Sequence, residues 1–448
     1  MKKKSKVLLT LALAFIMCFA GMQTAFAVTI NGNGALQTEP GNEVSLKAAI
    51  TKILNMPEIT NVPAANFVFK LTPMNVDGTS YDGGNMPSIG PIAINFSSGA
   101  EMIDPAPNPR EDSWYKESGD IFNGITFSHA GVYVYEVTEN ANTNTPGIDT
   151  DVNHQKLTYS EAKYTLTVYV ANNGAGDGTY IYGLGTAYTV KDDGVSPGGV
   201  KVDPTPGGNG STTDYSQMIF NSTYVKTNGP TDPSNFNPAD ESDSTLIISK
   251  EVDGGSGNEE EYFNFSITLD VPALATNVPV YYNAYVVDGG VVVVNSPANN
   301  VAGTSTQTGT DTNGGFIKVS TAKDQSTDFK LRGGQKLVFV ANPVGTGYKV
   351  TESASDHAPS FIITTGGQAA PKVGVLAENP LDTGNQLVGE GSTGKEPNIA
   401  AFTNYRDFIT PMGLSINDLP FIGLILIAAG ALAIFIAVKS RKREGYGS

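Results

Sequence analysis

Two lysines, two glutamates and two asparagines recur in the same order along the chain, once in each half. Lys52 closes the apolar segment Ala48-Ala49-Ile50-Thr51, and Lys250 closes Leu246-Ile247-Ile248-Ser249. Glu139 stands two residues after Tyr135-Glu136-Val137, and Glu352 two residues after Tyr348-Lys349-Val350. Asn221 follows Phe220, and Asn404 follows Phe402 with one residue between, each in the last apolar segment of its half. In strands, successive side chains alternate between faces, so Tyr135, Val137 and Glu139 share one face, as do Tyr348, Val350 and Glu352. Lys52 shares a face with Ile50, and Lys250 with Ile248. A carboxylate on a face that points into a core is costly unless it is paired or protonated. Each half therefore presents a lysine, an acid and an amide that folding could bring together out of water.

The elements that would position these groups are strands. Tyr164, Leu166, Val168 and Val170 alternate with polar residues, as do Tyr133, Tyr135 and Val137, then Phe67, Phe69 and Leu71, and later Phe263, Phe265 and Ile267. Residues 280–287 and 291–294 flank Asp288-Gly289-Gly290, a hairpin signature. Fifty glycines punctuate short segments, and no amphipathic helix of three turns stands between the termini. The expected class is all-β, as two tandem immunoglobulin-like β-sandwiches. The halves also repeat one another: Asn66-Phe67-Val68-Phe69 aligns with Tyr262-Phe263-Asn264-Phe265, and Ile219-Phe220-Asn221-Ser222-Thr223-Tyr224 with Ala401-Phe402-Thr403-Asn404-Tyr405. The first sandwich is expected over 28–227, a Pro/Asn/Ser-rich linker over 228–243, and the second sandwich over 244–407.

The Lys/Glu/Asn pattern, with its asparagine near the end of a Phe-x-Asn-x-Tyr-like final strand, resembles the isopeptide-bonded domains of Gram-positive sortase-assembled pilins and surface adhesins. The first half is most similar to the streptococcal major-pilin (T-antigen) linker domain, the second to collagen-adhesin B-type domains, and the likeness covers roughly 42–407. The second half reads Phe-Thr-Asn-Tyr where the first reads Phe-Asn-Ser-Thr-Tyr, so the tyrosine offset differs. The resemblance implies two self-formed amide bonds, Lys52–Asn221 and Lys250–Asn404, with Glu139 and Glu352 as the catalytic acids. Burial lowers a lysine's pKa and raises a glutamate's, giving a neutral amine nucleophile and a protonated acid that donates to the amide carbonyl. Folding supplies the proximity. Each bond forms once and consumes its own residues, so this is not a turnover enzyme.

The termini are read as export and anchoring signals. Lys2, Lys3, Lys4 and Lys6 precede an apolar run, and Thr24-Ala25-Phe26-Ala27 offers a cleavage site, so 1–27 is expected to be a signal peptide. The only cysteine, Cys18, lies inside it, leaving the exported chain without thiols. The apolar run 421–438 is long enough to cross a bilayer as a helix, and Lys439, Arg441, Lys442 and Arg443 follow it. Just upstream, Pro411-Met412-Gly413 resembles the Pro-Thr-Gly of pilin sorting signals within a stub over 408–420, with Met412 in place of threonine; 439–448 is the basic tail. Sortase, peptidoglycan or other pilin subunits, and the membrane are thus the implied partners. Lys226, in Tyr224-Val225-Lys226, resembles the family's Tyr-Pro-Lys motif and is the candidate polymerisation lysine.

The net charge of −16 argues against nucleic acid as a partner. No catalytic-triad elbow, zinc-protease motif or phosphate loop is present, and no metal or cofactor is expected. Asp149-x-Asp151-x-Asn153 departs from a calcium loop at His154. His129, His154 and His357 read as surface residues. The reading is a pilus subunit or wall-anchored stalk, with a monomeric adhesin gripping a host or matrix ligand as the alternative.

Overall fold

The computed structural model describes residues 44–406, apart from 104–107, 141–154, 175–177, 197, 208–213, 231, 256, 294–306, 371–379 and 392–395, together with seven helical residues between 424 and 432. The signal peptide, the Asp149 loop, Pro411-Met412-Gly413, most of the apolar run and the basic tail lie outside the described residues. Among the described residues no helix is long and apolar enough to cross a membrane.

Each half forms two facing sheets. In the first, one five-stranded sheet is ordered Glu101–Met102, Glu111–Glu117, Thr51–Pro57, Ile219–Lys226, Gln155–Thr158. The facing seven-stranded sheet is built around Asn66–Val76, Gly131–Glu139, Lys163–Asn172 and Thr179–Val190. In the second, Leu246–Asp253 and Ile399–Tyr405 lie at the centre of a nine-stranded sheet, opposite a five-stranded sheet holding Phe263–Asp270 and Gly347–Glu352. The alternating residues singled out in the sequence form the cores. Phe67, Phe69, Tyr133, Tyr135 and Phe220 are buried in the first, and Phe265, Phe329, Phe339 and Phe402 in the second. The Gly289-Gly290 hairpin forms as expected, with Asp288 opposite Val291 and both glycines at positive φ, the twist-matched geometry that favours glycine.

In both halves the opening strand pairs in parallel with the closing strand. Thr51–Pro57 runs beside Ile219–Lys226 with Lys52 level with Phe220, and Leu246–Asp253 beside Ile399–Tyr405 with Lys250 level with Phe402. The glutamate strands match as well: Glu139 is level with Phe69, and Glu352 with Phe265. The repeat in the sequence is thus a repeat of register.

Residues 228–243 are not a free tether. Phe236 is buried against Tyr285, ring centroids 4.9 Å apart, in a cluster with Ile247 and Val338, between two short 3-10 turns at Pro233–Asn235 and Glu241–Asp243. The halves also touch directly. Arg110 donates to the Gly345 carbonyl at 2.6 Å and pairs with Asp270, Asn61 donates its backbone N–H to Glu390, and Asn228 donates to the carbonyls of Gly389 and Glu390. Gly345 has φ +80°, and a Cβ there would lie 2.6 Å from Pro57 of the first half, so the approach requires glycine.

Candidate functional site

The second half brings together the three residues expected of it. Lys250 and Asn404 lie on adjacent parallel strands with Lys250 level with Phe402, so Asn404 is the next residue on the same face. Glu352 reaches them from the facing sheet. Its Oε1 accepts from Asn404 Nδ2 at 2.7 Å and lies 3.0 Å from Lys250 Nζ. All three are sealed from solvent. Lys250 Nζ sits over the Phe263 ring, 4.4 Å from its centroid, and makes no aligned hydrogen bond. Glu352 Oε2 and Asn404 Oδ1 are also buried without partners. Burial pulls the Lys250 amine down to about 8 and pushes the Glu352 carboxyl up, against the attraction between the two.

The site thus holds an amine and an amide against one acid. A half-turn of the Asn404 amide, which exchanges Oδ1 and Nδ2, would set its carbonyl against a protonated Glu352. That hydrogen bond would polarise the carbonyl carbon toward an uncharged Lys250. The Lys250 nitrogen would then bond to Asn404 Cγ, with the Cγ–Nδ2 bond breaking and ammonia leaving with the proton that Lys250 gives up.

The first half has the same architecture with one group exchanged. Lys52 is fully buried, with Nζ 4.4 Å from the Phe67 centroid, the position equivalent to Phe263. It donates to Glu139 Oε1 and Oε2 at 2.7 and 2.8 Å. Its third donor goes at 2.5 Å to Ser222 Oγ, not to an asparagine. Asn221 faces the other way: its Nδ2 donates to Asp192 Oδ2 at 2.8 Å and its backbone N–H to Asp192 Oδ1. The expected Lys52–Asn221 pairing is therefore not present, because Asn221 has the wrong parity on a strand whose core-facing residues are Phe220, Ser222 and Tyr224. A hydroxyl has no carbonyl carbon for an amine to attack. Burial also pulls Lys52 down to about 8 and pushes Glu139 up, but all three lysine donors are satisfied, and Ser160 N–H donates to Glu139 Oε2. The alignment of Phe220 with Phe402 already sets Ser222 opposite Asn404; Asn221 is favoured by residue type alone, one position out of register.

Two further expectations change. Lys226 is not an exposed lysine: its side chain is 17 % exposed and pairs with Glu390 of the second half at 2.5 Å. His357 is not a surface residue, being 4 % exposed.

Residues 48–224 match the Spy0128-like isopeptide containing domain. Residues 244–404 match a domain of unknown function, DUF7601. A pilin of Streptococcus pyogenes serotype M1 is 25 % identical over 430 residues, covering 94 % of this chain and 97 % of the relative. The chain resembles the streptococcal pilins along nearly its whole length. Among solved structures, the major pilin from Streptococcus pyogenes is 18 % identical, covering 82 % of this chain and 100 % of that one with a TM-score of 0.31. The T3.2 major pilin from Streptococcus pyogenes serotype GAS13637 is 20 % identical, covering 81 % and 99 %, with a TM-score of 0.29. The half that matches the isopeptide domain is the one whose lysine faces serine. The half of unknown function holds the complete lysine, acid and amide.

Proposed function

We propose that this chain is a pilus subunit or wall-anchored stalk whose second domain closes an autocatalytic Lys250–Asn404 isopeptide bond. The observation that carries it is Glu352 Oε1 touching both Lys250 and Asn404 inside a sealed pocket. Likeness to a pilin over 94 % of the chain supports the role as a subunit. Export through 1–27, sorting by a sortase at Pro411-Met412-Gly413, and attachment to peptidoglycan or to further subunits belong to the same reading.

The bond joins the opening and closing strands of the domain. A pull on the two ends of the second domain would pass from 246 to Lys250, across the amide, and out from Asn404, leaving the sheets unloaded. In the first domain the same pull shears the parallel ladder between Thr51–Pro57 and Ile219–Lys226. The reading is thus of one covalent domain and one held by hydrogen bonds and a buried ion pair.

Mass spectrometry of the full chain tests it. Proteolysis should yield one branched peptide joining Lys250 to Asn404, lighter by one ammonia than its two parts, and Glu352→Ala should abolish it. Linear peptides alone spanning both positions in the folded wild type would end the proposal. A branched peptide at Lys52 would overturn the account of the first domain.

A further inference from the structure

His357 lies just before the strand Ala358–Thr365, its ring edge-on to Phe263 at 5.1 Å. Its side chain has no solvent exposure, yet neither ring nitrogen makes a hydrogen bond. Buried polar groups are nearly always paired, so two ring nitrogens with no aligned hydrogen bond, and only carboxylates near them, point to a missing partner. Two carboxylates bracket the ring. Asp356 Oδ1 lies 3.0 Å from Nδ1, and Glu261 Oε2 lies 3.9 Å from Nε2. One ligand-capable atom from each of the three residues falls within 4.8 Å of the other two.

We propose that Glu261, Asp356 and His357 bind one divalent cation of the zinc class. An imidazole nitrogen with carboxylate oxygens suits zinc, whereas calcium and magnesium prefer oxygen alone. Nδ1 is the ligating nitrogen, since one ion takes one nitrogen of a ring. Its 3.0 Å to Asp356 Oδ1 fits two ligands at about 2.1 Å from a common metal. Glu261, nearer Nε2, would swing across to complete the set. The buried ring is fixed by packing. The carboxylates stand at the surface, with Asp356 59 % and Glu261 35 % exposed, so they can close on an arriving ion while water fills the remaining positions. Arg406 Nη2 holds the other Asp356 oxygen at 2.7 Å, which aims Oδ1 at the ring and leaves it available.

The location gives the ion a purpose. Glu261 lies just ahead of Phe263–Asp270, His357 just ahead of Ala358–Thr365, and Arg406 just beyond Ile399–Tyr405. A bound cation would tie both sheets of the second domain together where the closing strand ends, beside the phenylalanine that covers Lys250. This inference stands apart from the isopeptide reading, since neither Lys250 nor Asn404 is a ligand.

The test is calorimetric titration of zinc into the untagged full chain, stripped with chelator and held in mild detergent. One saturable zinc per chain is expected, unaffected by excess magnesium or calcium, with a rise in the melting temperature of the second domain. Glu261→Gln should weaken binding about tenfold or more, and His357→Ala should abolish it together with the thermal shift. If His357→Ala does not fold, Glu261→Gln and Asp356→Asn decide the matter, both changes being at the surface. Absence of saturable binding in the wild type, or equal affinity in the wild type and these variants, would overturn the proposal.

Discussion

Ser222 and Asn404 occupy the same position in their domains. Each lies two residues beyond the phenylalanine that is level with the domain's lysine, on the core face of the closing strand. The lysines are equally buried, and the rings over them lie at the same 4.4 Å. The two sites therefore differ in the group offered to the amine. A serine oxygen satisfies an ammonium, while an amide can be attacked by an amine.

That difference predicts the effect of Asn404→Ala. The proposed bond closes a loop from 250 to 404, and by analogy with disulfide loop closure its loss should lower the stability of the second domain by about 5 kcal/mol. Denaturant unfolding of wild type and variant measures it. A variant within about 1 kcal/mol of wild type would mean that no covalent loop was lost.

Ser222→Asn should install the missing acceptor. The expected product is a second branched peptide, joining residues 52 and 222, and it should require Glu139. Single-molecule pulling gives an independent readout. The wild-type first domain, 48–224, should unfold with an extension of roughly 600 Å while the second does not extend, and Ser222→Asn should remove most of that step. A second domain that extends by its full length would contradict the covalent reading.

The buried ion pair of the first domain should make its stability depend on pH. Burial holds Lys52 near 8, whereas an unfolded lysine titrates near 10.5. Between these values the unfolded chain keeps a proton that the folded domain has shed, so stability should climb with pH, by at most about 1.4 kcal/mol per unit. Glu139, raised by burial, acts in the opposite sense at the acid end. Just above pH 4.5 the folded domain keeps a proton that the unfolded chain has lost, and stability falls as pH rises. Urea unfolding at pH 8, 9 and 10 should show the climb in wild type and a flatter profile in Lys52→Met with Glu139→Gln. An equal slope in both would assign the dependence to other groups.

Lys226 should act as a strut between domains. Its removal strands the mostly buried Glu390 carboxylate and should cost about 2 kcal/mol. Lys226→Ala should separate the melting of the two domains and leave any covalent ladder in wall extracts intact. A lost ladder with unchanged melting would instead restore Lys226 as the polymerisation lysine.

Much of this molecule was legible without a fold. Period-two patterning identifies the strands and their core faces because burial on one side of a pleated strand demands it, and the duplicated motifs reveal two copies of one architecture. Lys52, Glu139, Lys250, Glu352 and Asn404 are conspicuous in the same way, since a charged or amide group in an apolar alternation stands out locally. Other features depended on the register of strands far apart in sequence. Whether Asn221 or Ser222 meets Lys52 is a question of parity across a parallel pair more than 160 residues apart, and a one-residue shift reverses every side chain. The Lys226–Glu390 pair and the gathering of Glu261 beside Asp356 and His357 likewise have no local signature, because they join segments that only tertiary packing makes neighbours.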